Sequence, residues 1–330
     1  MSYRPPYTHT PAIIRQVAAI GEALGRLSAQ WERGGDSRLR RANRIRSIHG
    51  SLAIEGNTLS EAQITAIQDG RRVIAPPREI HEVRNALAAY DQLAEWRPER
   101  ESDLLAAHSV LLAGLLDEAG VWRRGGVGVM AGDRVIHMAP QAHRVPGLMR
   151  DLLGWLAATD EHPLIAISVF HYEFEFIHPF ADGNGRVGRL WQTLILSRWQ
   201  PVFADLPVES LIHEHQAEYY QAIQDSTAGA DSAPFIYFMQ RMIHEALEAG
   251  APQATPQVTP QVARLLGVLI GELSRDELMA ALNLRDRKSF RERYLAPALA
   301  DGLIEMTQPA TPNSPGQRYR LTEIGLRVRG

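Results

Sequence analysis

Cysteine is absent from this chain of 330 residues, and lysine occurs once, as Lys288, among 35 basic residues. Without cysteine there can be no thiol nucleophile, no disulfide and no Cys-ligated zinc. The scarcity of lysine excludes more. A Walker-type phosphate loop needs Gly-Lys-Ser/Thr, and a protein-kinase ATP site or a Schiff-base cofactor needs a lysine of its own. Lys288 precedes Ser289 but follows Arg287, so it fits no phosphate loop. Any phosphate bound here must be held by arginine and backbone N–H groups. Long apolar runs are also missing: Leu111 to Leu116 and Leu164 to Phe170 fall far short of the roughly 18 residues that span a bilayer. Met1 to Thr10 contains Pro5 and Pro6 and lacks the apolar stretch of a signal peptide, so a cytoplasmic protein with no membrane partner is expected.

What remains is an ordinary globular composition, 45% hydrophobic and 22% charged with a formal net charge of −3, long enough for two domains. Residues 10 to 250 read mainly as helices. Thr10-Pro11 is an N-cap and N1 pair ahead of Ile13, Val17, Ile20, Leu24 and Leu27 at helical spacing. A second helix is predicted from Ser37 toward Ile54, stopped by Gly56 and Asn57. Ser60 with Gln63 forms a capping box, and Pro76-Pro77 precedes a helix through Val83, Leu87 and Tyr90. Further helices are predicted over about 102–116, 145–158, 163–177, 185–199, 208–226 and 234–249. The exception is Val127 to Met138, a short β-hairpin turning at Ala131-Gly132-Asp133.

A composition break follows at 251–262, where Thr-Pro-Gln recurs and repeated proline favours an extended linker. Beyond it, 263–330 reads as a winged helix: helices at Ser274 to Asn283 and Arg287 to Gly302, then strands Ile304 to Thr307 and Tyr319 to Thr322. The expected fold is therefore mainly α, divided into N-terminal helices (1–100), a helical core (101–250) with its hairpin at 127–138, the linker and the winged-helix domain.

The chemistry concentrates in His178-Pro-Phe-Ala-Asp182-Gly183-Asn184-Gly185-Arg186-Val187-Gly188-Arg189, a loop feeding a helix N-terminus. Gly183, Asn184 and Gly185 tolerate positive φ and carry little bulk, so backbone N–H groups can curl around an anion at the positive end of a helix dipole. Arg186 and Arg189, three apart on one helix, offer planar donor forks to phosphate oxygens. Asp182 supplies one hard oxygen, the number typical of Mg²⁺ held mostly by water and substrate phosphates. His178 can take a proton near neutral pH. Together these describe a polyphosphate–Mg²⁺ site with a general base beside it.

The stretch resembles the signature of the Fic family, His-x-Phe-x-(Asp/Glu)-Gly-Asn-Gly-Arg-x-x-Arg, at every defined position. The resemblance implies a helical Fic core that transfers AMP from Mg-ATP to a Ser, Thr or Tyr hydroxyl of a protein. His178 would be the general base, Asp182 the Mg²⁺ ligand and Gly183 to Gly185 the anion hole. Arg186 and Arg189 would hold the β- and γ-phosphates, Val187 and Gly188 would complete the nucleotide-binding stretch, and Phe180 would anchor the loop. Ser51-Leu-Ala-Ile-Glu55-Gly56-Asn57 resembles the inhibitory motif of some Fic proteins, which places Glu55 on Arg189 and makes residues 37–57 an inhibitory helix. In some relatives the same glutamate supports removal of AMP. The hairpin would be the Fic flap, with Val135, Ile136, His137 and Met138 its target-positioning edge. Tyr219-Tyr220 resembles a pair that lines the adenine side, although relatives often carry an asparagine where Thr227 stands here.

Other features carry less. His213-Glu214-His215 lacks a zinc spacing, His171 suits a structural role, and the arginines from Arg38 to Arg46 suit a solvated helix face. Arg285, Arg287, Lys288, Arg291 and Arg293 could line a recognition helix, open to DNA or to a protein. Homodimers and self-modification are further expectations from the resemblance. Two rival readings stay open: a nucleotide-sensing DNA-binding regulator, and a Fic transferase using another nucleotide donor.

Overall fold

A computed structural model describes residues 3–31, 37–131, 134–250, 259–284, 286–309, 311, 314, 316–322, 325–326 and 329, with 28–31, 37–38, 129–131, 134–137 and 250 described by their backbone alone. The chain forms two compact units, Met1–Ala251 and Pro252–Gly330. In the first, helices α1 (Pro11–Trp31), α2 (Ser37–Ile54), α3 (Glu61–Gln68), α4 (Pro77–Asp91) and α5 (Glu101–Leu111) precede strands β1 (Gly128–Ala131) and β2 (Arg134–Met138). Helices α6 (Val145–Ala158), α7 (Pro163–Ile177), α8 (Asn184–Trp199), α9 (Val208–Glu214), α10 (Gln216–Gly229) and α11 (Ala233–Gly250) follow.

Helices α7 and α8 form the centre. Pro163 opens α7 and the His162 side chain accepts from the Leu164 N–H at 3.2 Å, a cap for a helix too apolar to end in water. Apolar side chains surround its whole circumference, and it is buried nearly throughout. On one side lies a core built by Phe170, Phe174, Phe180, Leu190 and Trp191; on the other lies one built by Tyr172, Tyr219, Phe235 and Phe238.

The stop of α2 follows the expected chemistry. Gly56, at φ 89°, donates to the Ala53 carbonyl and Asn57 to that of Leu52, which is a Schellman turn. The capping box at Ser60 and Gln63 is also present. Three expectations need correction. The helix over 102–116 ends at Leu111 because Asn85 Nδ2 takes the carbonyls of Leu111 and Ala113, after which Gly114 turns the chain at φ 66°. The single helix over 208–226 is two, broken at His215. In the hairpin, Ala131 pairs with Arg134 and the register shifts between Val129 and Met130; Gly132 and Asp133 of the expected turn lie outside the described residues.

In the second unit α12 (Pro260–Val268), α13 (Arg275–Ala281), α14 (Arg287–Phe290) and α15 (Ala296–Ala300) accompany strands β3 (Leu273–Ser274), β4 (Ile304–Met306) and β5 (Arg318–Leu321). The second Thr-Pro-Gln unit is not linker but the start of α12: Thr259 Oγ1 accepts from Val262 N and Pro260 takes the N1 place. Residues 251–258 lie outside the described residues. The expected helix Arg287 to Gly302 contains a π-helical stretch, Arg291–Leu295. Pro297 has no N–H to return to the preceding turn, and the helix widens there. Strand β3, not anticipated, joins the sheet in the order β3-β5-β4, all antiparallel. Leu265, Phe290, Ala298 and Tyr319 lie in this unit's own core.

Candidate active site

The signature loop lies between the C-terminus of α7 and the N-terminus of α8. His178 caps α7 in the left-handed region, φ 49°, and Gly183 precedes α8 at φ 81°. A Cβ on Gly183 would also sit 2.6 Å from Leu112 Cδ2, so glycine is required there twice over. Asn184 latches the loop by accepting from Phe180 N at 2.8 Å and donating to Phe180 O at 2.9 Å. Phe180 is fully buried, its ring stacked on that of His108 with centroids 3.7 Å apart.

Two residues that sequence reasoning did not single out hold this loop. His108 Nδ1 accepts from Gly120 N at 2.7 Å, so its Nε2 carries the proton and donates to Asp182 O at 3.0 Å. Burial lowers its pKa and keeps that ring neutral. Arg123 donates to the carbonyls of His178 (2.7 Å), Gly125 (2.8 Å), Pro140 (2.5 Å) and Ile177 (3.3 Å). One buried guanidinium thus ties both stems of the hairpin to the turn that presents His178. Neither residue carries a local signal, because the loop atoms they hold, on Asp182 and on Ile177 and His178, are distant in sequence.

Asp182 Oδ1 accepts from Gly183 N at 2.6 Å and from Arg186 Nη2 at 3.1 Å, while Oδ2 lies 3.8 Å from Arg78. Its side chain is 43% exposed. No group of three or more His, Asp or Glu side chains able to hold a metal occurs among the described residues. A divalent ion here would have one carboxylate from this chain, which suits Mg²⁺ and not a protein-caged metal. Arg186 is buried, with Glu82 3.7 Å from Nη1.

Glu55 projects from the end of α2 onto the start of α8. Its Oε1 accepts from Arg189 Nη2 at 2.7 Å, and a Cβ on Gly185 would collide with that oxygen. The carboxylate therefore lies against the N-terminal turn of α8, where the first N–H groups have no intrahelical acceptor. Ser51 completes the clamp, its hydroxyl accepting from Arg189 Nε at 3.1 Å and its carbonyl from Nη2 at 2.9 Å. Gln216 Nε2 donates to the Ile54 carbonyl and steadies the end of α2. Arg189 is 1% exposed. Burial is the largest influence on it and opposes its charge, but the groups around it, Glu55 foremost, outweigh burial and hold its pKa above the ordinary value.

The remaining candidates fall in different places. Tyr219 is buried with its hydroxyl 3.2 Å from His171 Nε2, and Tyr220 reaches partway to the surface. Thr227 Oγ1 lies 3.1 Å from the Tyr172 hydroxyl. Thr227 and Tyr172 line a cleft of ≈ 320 Å³ whose wall also includes Pro140, Phe176 and Ile177, and Tyr219 and Tyr220 are not part of its lining. Val135, Ile136 and His137 lie on β2, and Met138 at its end is 69% exposed. Arg287, Lys288 and Arg291 are exposed in the second unit, with Arg287 3.2 Å from Asp276; Arg285 lies outside the described residues. His171, on the buried face of α7, donates from Nδ1 to Gln192 Oε1 at 2.6 Å.

Comparison with known proteins points to one family. The model of the Fic/DOC family matches residues 98–196, and that of the Filamentation induced by cAMP protein Fic-like, C-terminal domain, matches residues 260–322. The chain is 31% identical over 228 residues to the protein adenylyltransferase Fic of Culex quinquefasciatus, covering 64% of this chain and 43% of that one. It is 32% identical over 208 residues to the protein adenylyltransferase fic-1 of Caenorhabditis elegans, covering 59% and 38%. The chain thus spans less than half the length of these two relatives. Among solved structures, a Fic family protein from Desulfovibrio desulfuricans G20 is 55% identical with a TM-score of 0.74, covering 97% of this chain and 99% of that one. C. elegans Fic-1 (residues 134–508), at 24% identity and a TM-score of 0.59 over 72% of each chain, shares the fold. No helix among the described residues is long and apolar enough to cross a membrane.

Proposed function

The chain belongs to the Fic family, and on that premise we propose that it is a protein adenylyltransferase whose Glu55 holds the site in a restrained state. The observation that carries this reading is the 2.7 Å ion pair between Glu55 and Arg189 at the N-terminus of α8, inside an intact signature. The relatives' names supply the reaction, and the residues supply its parts.

In the transfer, a Ser, Thr or Tyr hydroxyl oxygen of the target attacks the α-phosphorus of ATP. The new O–P bond forms as the bond to the β-phosphate breaks, and pyrophosphate leaves. The hydroxyl proton goes to His178, whose backbone carbonyl accepts from Arg123 at the signature turn. The N–H groups opening α8 and the guanidinium of Arg186 face the phosphate charge, so positioning and electrostatics do most of the work. Mg²⁺, bound through Asp182, would neutralise phosphate charge. The base would enter the cleft beside Tyr172 and Thr227, and the outer edge of β2 would align the target segment.

Glu55 opposes this by occupying the donors of Arg189 and placing negative charge where the terminal phosphate must sit. The same placement favours a second activity, removal of AMP, in which the partly exposed Glu55 carboxylate orients a water toward the phosphodiester. The second unit we read as a winged helix that contacts protein or DNA through its exposed basic side chains. It contributes no residue to the proposed chemistry.

The test is incorporation. Glu55→Gly should raise the mass added to protein from ATP by tenfold or more over the unaltered chain, on the order expected for freeing one charged ligand site. His178→Ala in that background should abolish it. Equal incorporation in both, or addition from UTP or GTP but not ATP, would overturn the assignment of reaction or of donor.

A further inference from the structure

Glu175 lies one turn before His178 on α7 and plays no part in the mechanism above. Its carboxyl is 5% exposed. Oε2 is 3.9 Å from His178 Nδ1, and Oε1 is 3.8 Å from His171 Nε2. Oε1 accepts no hydrogen bond among the described residues. We propose that Glu175 is a positioning residue for the transfer: its carboxylate takes the Nδ1 proton of His178 in a hydrogen bond and holds the ring with Nε2 facing the nucleotide.

The surroundings leave the carboxylate little else to do. Arg189 directs its hydrogen bonds to Ser51 and Glu55. His171 donates from Nδ1 to Gln192, so its Nε2 is a lone pair, already facing the Tyr219 hydroxyl, and offers Glu175 no proton. Across the helix interface, the missing side chain of Gly188 makes the room: a Cβ there would lie 2.9 Å from Oε1. That gives Gly188 of the signature a specific task, to admit a carboxylate against α8. The charged and titratable groups facing Glu175 are His171 and His178 on its own helix and its cap, Arg189 on α8, Glu55 at the end of α2, and Tyr219 and Tyr220 on α10.

A separation of 3.9 Å suits a resting site, since catalytic hydrogen bonds commonly tighten only when substrate is bound. The arrangement is that of a base oriented by a buried carboxylate, in which the carboxylate selects the tautomer and stabilises the imidazolium. Burial first, and Glu55 with it, pushes the Glu175 carboxyl up to about 7, with Arg189 pulling the other way.

The proposal rests on the adenylyl-transfer reading for its rate arm and is independent of it for its spectroscopic arm. In the Glu55→Gly chain, Glu175→Gln keeps shape and an acceptor oxygen but removes the charge. Transfer should fall about tenfold and with Glu175→Ala about a hundredfold, within the range for a misplaced general base. KM for ATP should stay within about twofold, and the acid limb of the pH–rate profile should move to lower pH, because an imidazole without a neighbouring carboxylate is less basic. In the unaltered chain labelled with ¹⁵N-histidine, the His178 signals, identified by their loss in His178→Ala, should report Nδ1–H in the neutral ring. Glu175→Gln should lower their titration midpoint. A rate and acid limb unchanged by Glu175→Gln, or an Nε2–H tautomer in the unaltered chain, would overturn the role. Absence of any AMP transfer by Glu55→Gly would instead overturn the functional reading, leaving the tautomer and its titration to decide on Glu175.

Discussion

His171 and Glu175 occupy the same buried face of α7, and their proton affinities are displaced in opposite directions. Burial, only partly offset by the hydrogen bond to Gln192, pushes His171 down to about 4 from 6.5, and burial pushes Glu175 up to about 7 from 4.5. The folded chain binds fewer protons than the unfolded at His171, so that group favours stability above pH 6.5 and loses it as pH falls toward 4. At Glu175 the folded chain binds more, so its contribution is complete below 4.5 and is lost as pH rises through 7. Each displacement amounts to about 3 kcal/mol at ~1.4 kcal/mol per pKa unit, and between pH 4.5 and 6.5 the two slopes oppose each other. His171→Gln removes one of them. Its stability relative to the unaltered chain should improve by about 3 kcal/mol on going from pH 7 to pH 4.5, read from urea midpoints. A deficit independent of pH would show that His171 is not held neutral.

At the scale of elements, restraint of the site depends on where α2 sits. Gly50 packs against the start of α9 so closely that a Cβ would lie 2.6 Å from the carbonyl carbon and oxygen of Glu209 and from Ser210 N. Backbone cannot yield as a side-chain tip can, so a larger residue must push α2 away. Ser51 is the next residue and Glu55 little more than a turn on, so both would leave Arg189. Gly50→Val should therefore raise AMP incorporation toward that of Glu55→Gly and add nothing when Glu55 is already glycine; reduced incorporation would contradict this. Nothing in the sequence marks Gly50, because its reason lies 159 positions away in Glu209. The signals legible beforehand were local: the caps at Thr10-Pro11 and Ser60, the stop at Gly56, the hairpin, and the signature with its backbone-driven loop. Arg123 and His108 were not legible, since each acts through tertiary partners; Glu175 has its partner three residues away, but its burial against Gly188 of α8 is tertiary. The break at His215 falls within a stretch whose apolar spacing also suits one helix, and the Thr259-Pro260 cap of α12 is the same pair as Thr10-Pro11 but lies in a proline-rich stretch whose composition suits a linker.

For the whole molecule, the division into two compact units has an energetic counterpart. Phe290, Tyr319 and Leu265 belong to a core made only of residues beyond 259, whereas the residues proposed for the chemistry, Ser51 to Tyr220, lie in the first unit with separate cores. Small domains of this kind unfold cooperatively within themselves, and a linked pair need not share one transition. Phe290 is fully buried, and its truncation to alanine leaves a cavity that costs about 3–5 kcal/mol. A unit of some 80 residues has little more than that to lose. Calorimetry of the full chain should resolve two transitions, and Phe290→Ala should displace or abolish one of them. The other transition should remain, and so should AMP incorporation measured in the Glu55→Gly background. A single transition displaced as a whole, or a loss of incorporation matching the loss of the second unit, would mean that the first unit depends on the second for its stability.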